Sequence, residues 1–177
     1  MKKRWIALIA LLLCPLMLLP GCKKKPKEGT TQGDLAPAFN ITLVSGEKFS
    51  SNVCKGKVTL LYFFARQSAD SVKLLDAVRK LQETFAGEDV VILPIDLFES
   101  ADECKKLLGE GAFTEGVGLD SLTDGKVFKS YAVQYLPGAF LIDKEGVIVD
   151  RRYGSNETEN YVAYYTEKIQ TLLEAES

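Results

Sequence analysis

Tyr62-Phe63-Phe64-Ala65-Arg66-Gln67-Ser68-Ala69-Asp70-Ser71 is the stretch on which the reading of this chain turns. It completes the apolar run Val58 to Phe64, which shows no polar alternation, the pattern of a strand buried on both faces. It also opens the run Ser68 to Phe85, in which Val72, Leu75, Val78, Leu81 and Phe85 recur at helical spacing. A buried strand therefore delivers the chain directly to a helix N-terminus. Ser68 is a preferred N-cap there, and Asp70 in the first turn complements the helix dipole.

Outward from this junction, the remaining elements follow the same periodicities. Phe39 to Val44 and Glu47 to Phe49 flank a Ser45-Gly46 turn and predict a short hairpin. Asp89 to Leu97 is a second buried strand ending at Asp96, and a helix from Ser100 to about Leu108 is stopped by Gly109 and Gly111. Lys126 to Tyr135 predicts a short helix and turn before Pro137. Ala139 to Asp143 pairs with Val147 to Arg152 through Lys144-Glu145-Gly146, and Glu157 to Leu173 forms the last helix. Periodicity alone reaches an α/β class.

Three further segments narrow that class. Gly33-Asp34-Leu35-Ala36-Pro37-Ala38-Phe39 leads into the hairpin, Lys55-Gly56-Lys57 precedes the core strand, and Tyr135 to Gly146 carries Pro137, a strand and a turn. In order and spacing they resemble TlpA-like and ResA-like thioredoxins, a redoxin group related to the AhpC/TSA proteins, from about Gly33 to about Gly154. The resemblance implies a thioredoxin-like fold: a mixed central sheet flanked by helices, with an N-terminal β-hairpin extension. It places Ser68 and Ser71 where these proteins carry the two cysteines of a Cys-x-x-Cys pair. Thiol exchange needs a thiolate attacking a sulfur, and a serine hydroxyl supplies neither the charge nor the disulfide. The family's buried acidic or amide residue falls at Tyr62, and its later Glu and Pro fall near Leu74 and Asp76. The peroxidatic Cys of peroxiredoxins, placed in the same helical turn, is missing too.

The same resemblance implies a cis Leu136–Pro137 bond and a peptide-binding groove at Phe64, Gln67, Leu136 and Pro137, where the Leu136 backbone pairs with an extended peptide. Gly138-Ala139, where the family often has two threonines, makes the adjoining surface smaller and less polar.

Lys2, Lys3 and Arg4 followed by an apolar run from Ile6 to about Leu19 read as a signal peptide. Leu19-Pro20-Gly21-Cys22 resembles a bacterial lipobox, which makes residues 1–21 the signal peptide and Cys22 the lipidated N-terminus. Residues 22–33 follow as a flexible tether, and residues 34–177 as one thioredoxin-like domain. The tether lysines favour an anionic lipid surface. This locates the protein in a bacterial cell envelope, lipid-anchored to a membrane and facing the periplasm or exterior. Without leader and tether the domain is acidic, which argues against nucleic acid as a partner.

The chain has no histidine, so Ser-His-Asp catalysis, Cys-His catalysis and histidine metal sites are closed to it. No metal or cofactor is expected. Of the four cysteines, Cys54 and Cys104 belong to the domain, and they read as unpaired because they fall toward opposite ends of the sheet. The reading that follows is an envelope lipoprotein without the redox dithiol, serving as a binding or assembly factor for a protein or peptide partner. It leans against an enzyme. The alternative is a thiol-disulfide oxidoreductase or redoxin-type antioxidant protein using a non-standard cysteine such as Cys104, and a purely structural lipoprotein is a third reading. Substituting Cys22→Ala is predicted to release the protein from the membrane; mass spectrometry of the wild type should find lipid on Cys22, and an unmodified chain beginning elsewhere would contradict this.

Overall fold

The computed structural model describes residues 25–155 and 160–175. The signal peptide, Cys22 and the expected start of the last helix at Glu157 lie outside the described residues. The hairpin is β1 (Asn40–Leu43) and β2 (Lys48–Ser50), and the central strands are β3 (Val58–Phe64) and β4 (Val90–Asp96). Next come β5 (Gly118–Leu119), β6 (Gly138–Ile142) and β7 (Ile148–Tyr153). They form one seven-stranded sheet in the order β2-β1-β5-β4-β3-β6-β7. β3 runs parallel to β4 and antiparallel to β6, which makes the sheet mixed.

Every residue of β3 is buried. Its alternating side chains feed two cores, because successive residues of a strand point to opposite faces. Leu60, Tyr62 and Phe64 pack with Leu75, Val78, Leu81, Tyr165 and Ile169, whereas Leu61 and Phe63 pack with Ile95, Tyr131 and Phe140. The first face is covered by α2 (Leu75–Thr84) and α6 (Tyr161–Glu174), and the second by α5 (Lys126–Ser130) and the N-terminal segment. Tyr131 ties that segment down, its hydroxyl donating to the Pro37 carbonyl oxygen at 2.9 Å. Pro94 lies inside β4 at a level that β5 does not reach, a setting in which the missing N–H is tolerated.

Several sequence expectations need correction. The helix expected over Ser68 to Phe85 is two helices, α1 (Ala69–Lys73) and α2, which meet at Leu74 with φ −85° and ψ −6°. No proline is needed for this break. α6 starts at Tyr161, capped by Asn160, whose Oδ1 accepts from the Ala163 N–H at 3.2 Å. The tether also ends earlier than expected. Leu35 N–H donates to the Lys27 carbonyl at 2.8 Å, Gly33 N–H to the Ile148 carbonyl at 2.8 Å, and Arg151 to the Thr30 carbonyl at 2.8 Å. Residues 27–33 thus fold back on Leu35 and are fixed to β7 by one main-chain bond, at Gly33, and by the Arg151 guanidinium, neither of which a composition-based reading sees. Helix α3 (Ala101–Leu108) appears as expected, with Ser100 and Glu103 forming a reciprocal capping box. Two elements were not anticipated: α4 (Ala112–Glu115) and β5, too short for their periodicity to register.

Candidate functional site at the end of the core strands

β3, β4 and β5 are parallel, so their C-terminal ends share one edge, where β6 begins. Ligands of open α/β sheets bind at that edge. Ala65 to Ser68 leave β3 there, and Ser68 caps α1 with its Oγ 3.4 Å from the Ser71 N–H. Ser71 is fully buried. Its hydroxyl donates to the Ser68 carbonyl oxygen at 2.8 Å, has the Ala65 carbonyl oxygen at 3.1 Å, and accepts from the Ala65 N–H at 3.3 Å. The Tyr62 hydroxyl, also buried, donates to the Ser71 carbonyl oxygen at 2.6 Å. Ser71 therefore splices the end of β3 to the first turn of α1. Its hydroxyl is spent on backbone.

Across the edge, Phe63 pairs with Gly138, and continuing that register sets Leu136 beside Ala65. The Leu136–Pro137 peptide is cis, as the resemblance implies. The Pro137 carbonyl accepts from the Gly154 N–H at 2.8 Å, but no hydrogen bond to the Leu136 N–H or C=O is present among the described residues. Leu136 is half-buried and Gln67 exposed. Phe64 is a correction to the expected groove: it is fully buried in the α2-side core, because even-numbered residues of β3 face inward there, so its side chain lines nothing. Pro137 is buried and contributes a wall rather than a contact surface.

Sequence reasoning missed an acidic cluster under this edge. Asp96 is fully buried and Glu99 is 4% exposed. Asp96 Oδ1 accepts from the Phe98 N–H at 2.9 Å and the Glu99 N–H at 2.7 Å. Glu99 Oε1 accepts from Gln67 Nε2 at 3.3 Å, with Arg66 Nε at 4.0 Å. The Asp96-Leu97-Phe98-Glu99 spacing at a strand end was the available signal; it went unread because carboxylates at a strand terminus are ordinarily solvated. Burial, the largest cause, and the nearby Glu99 push the Asp96 carboxyl upward against its backbone hydrogen bonds.

Cys104 sits beside this cluster, fully buried. Burial first, then Asp96 and Glu99, push its thiol up to about 12. Lys105, a neighbouring cation, is paired with Glu115 at 3.1 Å. Such a thiol is not ionised at neutral pH and cannot meet a solvent-borne partner. Cys54 and Cys104 are both free, as the sequence indicated. Among the described residues no cluster of His, Cys, Asp or Glu could hold a metal ion, and no helix is long and apolar enough to cross a membrane.

Comparison with known proteins fits this geometry. The model of the AhpC/TSA family matches residues 32–151. The chain is 30% identical over 161 residues to the thioredoxin-like protein YneN of Bacillus subtilis, covering 88% of this chain and 92% of that one. It is 29% identical over 143 residues to the thiol-disulfide oxidoreductase ResA of Bacillus cereus, covering 81% of each. The crystal structure of the exposed lipoprotein thioredoxin Etrx1 of Streptococcus pneumoniae superposes with a TM-score of 0.64 at 23% identity, over 77% of this chain and 100% of that chain.

Two predictions follow from the edge. Ser71→Ala leaves the buried Ala65 N–H without an acceptor and is expected to cost ~1–3 kcal/mol in denaturant unfolding, more than the ~1 kcal/mol expected for the cap substitution Ser68→Ala. A carboxyl whose folded pKa is raised holds its stabilising, neutral form at low pH and loses it as pH rises through that pKa. Asp96→Asn keeps an acceptor oxygen without the buried charge; thermal unfolding at pH 7 should show a higher Tm than wild type, the difference shrinking toward acid pH.

Proposed function

We propose that this chain, which belongs to the AhpC/TSA family and is a TlpA/ResA-like thioredoxin-fold protein, serves the bacterial cell envelope as a redox-inactive binding or assembly factor. The observation that carries this reading is the division of labour at the sheet edge. The Ser71 hydroxyl closes off the Ala65 backbone, while the facing Leu136 main chain is left unpaired. An edge with one free donor and one free acceptor suits an extended polypeptide added as a strand, and that pairing requires no thiol.

Membrane attachment is assigned to lipid on Cys22, with Lys23, Lys24, Lys25 and Lys27 adding attraction to anionic lipid. The lipobox-like Leu19-Pro20-Gly21-Cys22 and the lipoprotein among its structural neighbours support this. The ordered domain starts close to the anchor, since residue 27 is already bonded to Leu35.

Insulin reduction by dithiothreitol tests the loss of redox activity: turbidity should develop at the rate of the protein-free control, and marked acceleration would overturn this reading. A photo-crosslinker at the exposed Gln67 in living cells should capture an envelope polypeptide.

A further inference from the structure

A cavity of about 250 Å³ lies at the far end of the sheet from the candidate site, where β3 begins and β6 ends. We infer that it is a binding site for a small uncharged aromatic molecule of about the size of indole. An apolar cavity of ~150 Å³ is filled by benzene, so this one has room for two fused rings.

The cavity exists because the Leu61 face of the sheet is covered unequally. Helix α5 is only five residues long. Its Val127 and Phe128 N–H groups donate to the Asp120 carboxylate at 3.1 and 2.8 Å, which holds the helix toward the end of β5. At the other end of this face, Leu61 and Ile142 are roofed by residues 36–39 and by the 3-10 turn Ser51–Cys54, and the roof leaves a gap. It is built in advance of any ligand. Ala36 N–H donates to the Gly146 carbonyl at 2.9 Å, Phe39 N–H to Ser51 Oγ at 2.9 Å, and Ser51 N–H to the Phe39 carbonyl at 2.9 Å. Main chain committed to these bonds offers no continuous strand edge to a peptide, so the occupant is a free molecule.

The lining selects its chemistry. The Tyr131 hydroxyl is engaged with the Pro37 carbonyl, the Thr59 hydroxyl with the Lys57 carbonyl, and Ser51 Oγ with the Phe39 N–H. Little remains to repay the dehydration of a polar ligand. The charged residues of the lining are of both signs, Lys55 and Lys144 with Glu28, Asp143 and Glu145, so they favour neither an anion nor a cation. Aromatic character follows from the walls. The Phe39 and Tyr131 rings stand edge to face with centroids 6.0 Å apart, and the half-buried Cys54 adds a soft sulfur. A ring packs on such walls with more gain than its buried area alone supplies.

The test uses the purified full chain, isotope-labelled and held in bilayer nanodiscs, with indole as the probe. Indole should shift the amide signals of Leu61, Tyr131 and Ile142 saturably and leave those of Gln67 and Leu136 in place. At ten times its measured dissociation constant it should slow alkylation of Cys54 by N-ethylmaleimide about tenfold, since the reagent reaches only the unoccupied fraction. Tryptamine and indole-3-acetate, the same rings carrying a charge, should bind no more tightly than indole. Phenol should bind about threefold more tightly than cyclohexanol, its saturated counterpart. Ala36→Phe places a ring in the space and should abolish both effects of indole; should that variant not fold, the wild-type series still decides. Unchanged signals at Leu61, Tyr131 and Ile142 with undiminished Cys54 alkylation at millimolar indole would overturn the site. A charged analogue binding about tenfold more tightly than indole would overturn the uncharged class, and equal binding of phenol and cyclohexanol the aromatic one.

Discussion

β3 is the constraint from which the rest of the structure follows. Its backbone is bonded to β4 on one side and β6 on the other, and both of its faces are covered by carbon. A strand in that position has no solvated side, so polar side chains are excluded along nearly its whole length. The two hydroxyls it carries are both bonded to main chain, Thr59 to the Lys57 carbonyl at 3.4 Å and Tyr62 to the Ser71 carbonyl at 2.6 Å. The cost of such a strand falls at its end, where the hydrogen-bond ladder must stop inside the protein. Ala65, the first residue past the ladder, is 1% exposed, and its N–H and C=O cannot be left to water. Ser71 resolves this by reaching back from α1, and the Tyr62 hydroxyl secures the same turn from below.

The two serines at this edge are accounted for by the backbone they hold. Each serine has a structural task at its position: Ser68 ends the extended chain and caps the helix, and Ser71 satisfies the strand end. Neither task requires sulfur, and a hydroxyl performs both better than a weakly hydrogen-bonding thiol. The cluster of Asp96, Glu99 and Cys104 lies under the same edge, facing inward. Its geometry orders the loop after β4, since the Asp96 carboxylate gathers the Phe98 and Glu99 amides and Glu99 engages Gln67. The loop after β3 is thus tied to the loop after β4 through Gln67 and Glu99.

Much of this was legible in the residues. The uninterrupted run Val58 to Phe64 could only be a strand buried on both faces, the hairpin turns carried Gly46 and Gly146 at positive φ, and Ser68 preceded a run of helical spacing. Those features are local, encoded by neighbours in the chain. The two serines, the missing histidines and the isolation of Cys54 from Cys104 likewise stood in the sequence, and they bounded the chemistry before any coordinates.

What only the tertiary structure decided depends on contacts between distant segments. The hairpin interaction that fixes residues 27–33 joins Gly33 to Ile148, and no composition rule anticipates it. The split at Leu74, the inward turn of Phe64 and the burial of Asp96 are equally set by what packs on them rather than by propensity. The cavity beside Pro137 is the sharpest case. Leu74, Ala139, Tyr153 and Tyr161 are scattered through the linear order, and they line one cavity only because β6, β7 and two helix ends converge there. Sequence period specifies which face of an element is apolar; the space left between such faces is a property of their packing, and it exists only once the chain has folded.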